Sequence, residues 1–409
     1  MSIQNTKSEA TGFAKRLVRL LGVLALVAMT GCATKSLRDV VPQNLTSSAT
    51  VVGFDSSDLR TWGDEAPKHM AALAKEFRAQ RVAAQANGSG PKRSKVQNLL
   101  VISGGGSDGA FGAGLLNGWT KQGKRPEFVV VTGVSAGALM APFAFLGPKY
   151  DSHLREFYTL YSTKDILKSN VVSGLISGSA IGDSEPLQNL IAKYLTTQVM
   201  QEIAAEHAKG RRLFIGTTNI DAERSVIWNI GGIATVGTDK ALQLIHKIVL
   251  ASAAIPAVFP PVMIDVQVNG QLRQEMHVDG GTVDNVVLFP METNLELLRG
   301  PKGKAPKLRL YVVANSHVAP QWKRVQASTI AIAGRSIVTL IKQKTIGDIL
   351  KLYGFAKKNK IDFNLATLPD DFSAESKEPF DRSYMKKLYQ VGESLGRNGY
   401  KWHKAPIVR

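Results

Sequence analysis

The sequence predicts an α/β protein, a mostly parallel central sheet covered by helices on both faces. Three observations predict it. Short aliphatic runs are continuous rather than alternating, as in strands buried on both faces. Helical stretches separate those runs, in the order of a chain that crosses back over its own sheet. Glycine turns stand where two of the runs give way to helices, so the strand–turn–helix junctions are sharp.

The elements follow in order. Residues 66–86 (APKHMAALAKEFRAQRVAAQA) have helical spacing, and NGSGPKRSK after them reads as a solvated linker. Gln97–Ser103 (QNLLVIS) is the first strand, followed by an Ala/Gly/Leu helix and by Phe128–Thr132 (FVVVT) as the second. Arg212–Gly216, Ser225–Trp228 with its neighbours, Gln274–Val278 and Leu308–Ala314 are the later strands. Gln321 to Lys358 reads as one or two lysine-rich helices, Ile361–Leu365 as a last strand and Ser383–Leu395 as a closing helix. The implied division is a leader over 1–31, a tether and helical extension over 32–95, a domain core over 96–315, and a C-terminal helical part over 316–409 packed on the same domain.

The chain has 409 residues, 44% of them apolar and 21% charged, and a formal charge of +18. That sign suits an anionic lipid surface; a nucleic-acid reader would cluster its cations with exposed aromatics, and here they are spread out. The single cysteine excludes an internal disulfide framework and stands at a telling place. Lys15, Arg16 and Arg19 precede the apolar run Leu20–Met29, and Thr30-Gly31-Cys32 ends it. Ten residues are too short to span a bilayer but suit a signal-peptide core. Small residues before a cysteine resemble the bacterial lipobox, in which Cys32 would be acylated. Met29, where that pattern prefers Leu, is a mild departure. Ala33 rather than Asp after the cysteine resembles the pattern of an outer-membrane lipoprotein facing the periplasm. An ordinary cleaved signal is the alternative. Losing residues 1–31 removes four basic groups and one acid, taking the charge to +15.

Three glycine signals carry the chemistry. Gly104-Gly105-Gly106-Ser107-Asp108-Gly109 follows a strand and opens a helix, so its backbone N–H groups can face an anion. Alone it resembles a dinucleotide fingerprint, but Glu127 lies before the second strand rather than at its end. Gly133-Val134-Ser135-Ala136-Gly137 stands between FVVVT and the apolar helix ALMAPFAFL, the context a nucleophile elbow needs. The two glycines permit the turn, and the Ser135 hydroxyl meets the positive end of a helix. Asp279-Gly280-Gly281 follows a strand, and by itself is either a turn or an acid site.

Together GGGSDG, GVSAG, ASAAIPAVFPPV (Ala251–Val262) and VDGG make the chain resemble the patatin-like phospholipase family, in the family's order. IGTTNIDAERSVIWN (Ile215–Asn229) resembles its central region, and the likeness runs from about Val96 to Asn315. The resemblance implies a three-layer α/β/α fold and a Ser135–Asp279 dyad, with Ser135 as nucleophile and Asp279 as base. It implies an oxyanion cradle from Gly104, Gly105, Gly106 and Gly109, and a phospholipid or other lipid acyl ester as substrate. It implies no cofactor. Asp108 departs from the Arg or Lys common there. A carboxylate is a weak base for a serine, so a triad with His317, beyond a late strand, remains a rival. His277 shares the face of Asp279 and could tune it. No spacing of ligands suggests a metal. A lipid-binding lipoprotein of the same fold without catalysis is the alternative from another class.

Overall fold

The computed structural model describes residues 38–54, 57–90, 96–169, 182–288 and 306–407. Cys32 and the leader expected before it lie outside these residues. Twelve strands are present among them: β1 (Thr50–Val51), β2 (Arg60–Trp62), β3 (Val96–Ile102), β4 (Phe128–Val134), β5 (Lys168–Ser169), β6 (Gly182–Asp183), β7 (Arg212–Asn219), β8 (Arg224–Asn229), β9 (Val262–Val268), β10 (Gln271–Asp279), β11 (Lys307–Ala314) and β12 (Asp362–Thr367). The longer helices are α1 (Met70–Ala86), α2 (Gly109–Lys121), α3 (Ala136–Leu146), α4 (Asp151–Thr159), α5 (Glu185–Tyr194), α6 (Thr197–Ala208), α7 (Asp239–Ser252), α8 (Thr329–Lys358) and α9 (Arg382–Arg397).

Ten strands form one mixed sheet. It is parallel through β12, β11, β3, β4 and β7, the part the aliphatic runs predict. Beyond that it turns antiparallel through the hairpins β7–β8 and β9–β10. The second hairpin closes on Asn269-Gly270, both at positive φ (50° and 76°), the turn that matches strand twist. Helices cover both faces. On one, Ile349, Leu352 and Ala356 of α8 and Phe77 of α1 pack with Leu99, Val101, Val130 and Leu310. On the other, α2, α3, α7 and α9 bury the larger core around Ile102, Val131, Ile215 and Val313. Burying strands on both sides is what excludes water from their ends, where the site lies.

One expectation about the flanks needs correction. Residues from Arg38 onward are no tether: β1 pairs with β9, β2 pairs with β8, and α1 buries Phe77. Val41, Val51, Phe54 and Leu59 are apolar enough to be drawn into the core, which the short strands had hidden. The C-terminal part joins the sheet through β12 beside β11, where the sequence places its last strand. Its helix α9 presses backbone to backbone on α2, where a Cβ at Gly114 or Gly118 would stand 2.1 Å from a carbonyl oxygen of α9. The glycines of the AFGAGLLNG helix therefore serve this crossing.

Candidate active site

The register of β7 brings the site together. One edge of β7 carries β4 along Arg212–Gly216 and then β10 along Thr217–Asn219. The two strands meet nearly end to end, Val134 opposite Gly216 and Asp279 opposite Thr217. Ser135, the residue after β4, thus faces the last residue of β10, although 144 positions separate them. Its Oγ donates to Asp279 Oδ2 at 2.6 Å.

Ser135 sits at φ 54°, ψ −122°, a conformation that non-glycine residues adopt only when their surroundings force it. Three contacts do so. Its N–H donates to Ser252 Oγ at 2.9 Å, and that hydroxyl donates onward to Gly216 O at 2.6 Å. A Cβ at Gly133 would lie 2.3 Å from Gly137 O, so the turn closes only with glycine there. A Cβ at Gly104 would lie 2.8 Å from that of Ser135, which seats the glycine loop against the serine.

Asp279 is 2% exposed and Ser135 4%. Asp279 Oδ1 accepts from Gly281 N–H at 2.8 Å, so both carboxylate oxygens are occupied. Burial raises its pKa to about 7, against the opposing pull of the two hydrogen bonds. Gly280 lies where a Cβ would be 2.5 Å from Gly216 O, so the Asp-Gly-Gly turn needs a residue without a side chain.

The glycine loop departs from expectation in its donors. Gly104 N–H is held by Asn285 Oδ1 at 3.0 Å, and Gly109 N–H turns back to the carbonyls of Gly106 and Ser107. Both are spent, because the loop coils into a helical turn at its end. Among the described residues the N–H groups of Gly105, Gly106 and Ala136 have no acceptor. Ala136 follows Ser135 directly, and Gly105 and Gly106 follow Gly104, whose Cβ position is 2.8 Å from that of Ser135, so these N–H groups are the ones open to an anion there.

Asn285 was not singled out in the sequence, and neither were Ser252 and Asn315. Asn285 anchors Gly104, donates from Nδ2 to Thr345 Oγ1 (2.6 Å) and from N–H to Asp348 Oδ2 (2.8 Å). Asn315 clamps the loop's other side through Ser103 O and Gly112 N–H. Ser252 alone had a signal, since it falls within ASAAIPAVFPPV. Replacing it with alanine leaves Ser135 N–H and Gly216 O buried without that partner, an expected loss of about 2–4 kcal/mol. Denaturant unfolding measures it, and kcat is expected to fall more than KM changes.

The histidines stay apart from the pair. No described histidine is hydrogen-bonded to Ser135 or Asp279. Ser135 Oγ donates directly to Asp279 Oδ2, so the geometry has no place for His317 between them. His317 is buried near Lys342, and burial followed by that charge lowers its pKa. His277 bonds to Thr217 Oγ1 (2.9 Å) and Glu275 Oε2 (3.1 Å), and Arg60 pairs with the same glutamate. That network braces β10 from behind. His317→Ala is accordingly expected to keep kcat/KM within about threefold of the parent, since no proton passes through it. Collapse of ester hydrolysis would restore the triad.

Asp108 accepts from Tyr384 Oη at 2.5 Å. Burial raises its carboxyl to about 6, opposed by Tyr384 and by Lys342. The departure from the usual cation is thus tied to α9 rather than aimed at Ser135.

Residues 100–291 match the family model described as patatin-like phospholipase. No curated protein matches the chain. Among solved structures it is similar to the crystal structure of VipD from Legionella pneumophila, at 12% identity and a TM-score of 0.34. The alignment covers 90% of this chain and 71% of that one.

Proposed function

Since residues 100–291 are a patatin-like phospholipase domain, we propose that this chain is a serine lipid acyl hydrolase working through Ser135 and Asp279. The single observation that carries the assignment of residues is the 2.6 Å hydrogen bond from a strained serine to a buried carboxylate. Ser135 Oγ attacks the ester carbonyl carbon while its proton passes to Asp279 Oδ2. The carbonyl oxygen becomes an oxyanion beside the N–H groups of Gly105, Gly106 and Ala136. As the tetrahedral intermediate collapses, the C–O bond breaks and the alcohol leaves with the proton from Asp279. Water, deprotonated by Asp279, then attacks the acyl-enzyme; the fatty acid departs and the proton returns to Ser135.

Burial supports Asp279 in this role. An ordinary aspartate is too weak a base, but one that titrates near 7 is matched to neutral pH. A phospholipid or another lipid acyl ester is the proposed substrate. Cys32, outside the described residues, is proposed to carry the lipid anchor, with the protein in the bacterial outer membrane facing the periplasm. The single cysteine at the end of the Leu20–Met29 run supports it. Incorporation of a labelled fatty acid that Cys32→Ser abolishes would establish it.

The test of the hydrolase is a fluorophosphonate probe with a panel of lipids. Labelling at Ser135, lost in Ser135→Ala, together with fatty acid release is the expected result. Absence of both would favour a lipid-binding protein of the same fold.

A further inference from the structure

Helix α8 is two different helices in one. From Thr345 onward it is anchored: Thr345, Asp348, Ile349, Leu352 and Ala356 are buried. Its first three turns stand out from the molecule, although the sequence there, TIAIAGRSIVTL, is mostly apolar. Of thirteen large hydrophobic residues exposed among the described residues, six fall between positions 322 and 350. They include Trp322 (89% exposed), Ile332 (53%), Val338 (58%) and Leu340 (69%). Exposed helices are normally polar on the side facing water, so this concentration calls for a partner.

The charges state which partner. From Gln321 to Leu340 there are three basic residues (Lys323, Arg324 and Arg335) and no acid, whereas Lys344, farther along, is paired with Asp284 and Asp348. Arg335 donates to Gln321 O at 2.6 Å and Lys342 to Ala319 O, so the preceding loop is pinned along the helix. Lys323 and Arg324 in that loop are exposed. Apolar side chains, a tryptophan and cations in one protruding strip are what an anionic bilayer surface accepts. The projecting half, Thr329 to Leu340, is about 18 Å long, short of the roughly 30 Å of a hydrocarbon core. No described helix is long and apolar enough to cross a membrane.

We propose that the first half of α8, with the Trp322 loop, is a docking surface that enters the headgroup region of an anionic bilayer. The buried half of the same helix reaches the site. Thr345 and Asp348 hold Asn285, and Asn285 holds the N–H of Gly104 beside Ser135. Docking therefore sets a helix that grips the glycine loop against the lipid surface. The surface is independent of the hydrolase reading except in how it serves that site.

The test uses the full chain with Cys32→Ser, so that no acyl anchor contributes, and vesicles of phosphatidylcholine with or without phosphatidylglycerol. The expected result is cosedimentation with the anionic vesicles and a blue shift of tryptophan emission that Trp322→Phe removes. The combined Ile332→Ser, Val338→Ser and Leu340→Ser variant changes only exposed side chains. It is expected to bind at least about tenfold more weakly, and so is Lys323→Glu with Arg324→Glu. Hydrolysis of a water-soluble short-chain ester stays at the parent's level in both. Vesicle binding unchanged in these variants overturns the proposal. So does a concentration-dependent dimer, seen by light scattering, that the serine variant dissolves without any effect on vesicles. A parent that binds through this strip but cleaves no ester would refute the hydrolase reading and leave the surface standing.

Discussion

Ser135→Ala is expected to cut lipid ester hydrolysis by roughly 10⁴- to 10⁶-fold, the scale of losing a nucleophile. Without Oγ no acyl-enzyme forms, and what remains is binding and the N–H groups of Gly105, Gly106 and Ala136. The fold should survive, because the backbone of the turn is held by Ser252 and by glycine contacts that the hydroxyl does not make. The strain at φ 54° persists with alanine, so Ser135→Gly is expected to be more stable than Ser135→Ala by about 1–2 kcal/mol. Chemical unfolding of the two variants, alongside their rates, separates chemistry from strain. More than about 1% residual activity in either would displace Ser135 from its role.

Asp279→Asn is the second large effect. Asparagine still accepts the Ser135 hydrogen bond but cannot take its proton, and kcat is expected to fall about 10³- to 10⁴-fold. In the parent, kcat/KM should rise with pH through about 7 and then level, as the carboxylate forms. The same pKa bears on stability. It is raised from 3.8 in the unfolded chain, so the folded protein holds a proton that the unfolded chain has released. The stability this contributes is complete below about 4 and is lost as pH rises through about 7. Asp279→Asn removes that slope. Its stability relative to the parent should therefore grow from pH 5 to pH 9, by on the order of 3 kcal/mol. Thermal or denaturant unfolding at several pH values measures it, and a constant difference would mean that the carboxylate ionises normally.

The two effects have one cause. Burying a carboxylate destabilises its charged form, and the same burial makes it a base at neutral pH. Stability given up at Asp279 is what the proposed chemistry uses.

The residues differ in how readable they were. Ser135 could be placed because an elbow is a local device: a buried strand, two glycines and an apolar helix within about twenty positions describe it. The central parallel strands were legible for a similar reason, since a strand covered on both faces has only aliphatic residues to offer. The β9–β10 hairpin was also legible, in Asn269-Gly270, though the pattern was not singled out. Asn285, Ser252 and Asn315 were not, because their partners are far away in sequence: Asn285 meets Gly104 across 181 positions and Ser252 meets Ser135 across 117. A buried amide or hydroxyl shows its purpose only when the groups it satisfies are in view. The glycine loop falls between. That its N–H groups could face an anion was readable as an expectation, but Gly104 and Gly109 have their N–H groups taken by neighbours that local pattern cannot reveal.

By itself, the sequence determined the class of fold, the order of the motifs, the serine turn and the aspartate that follows a strand. These depend on contacts between near neighbours, on which residues a turn tolerates, and on the pattern of apolar side chains. Only the tertiary structure decided that β4 and β10 meet along one edge of β7, which N–H groups stay open, that His317 stands aside, and that half of α8 remains uncovered. Those outcomes depend on strand register and on burial, which are properties of the assembled chain. The basicity of Asp279 belongs with them, since it arises from water being excluded rather than from any residue beside it in the sequence.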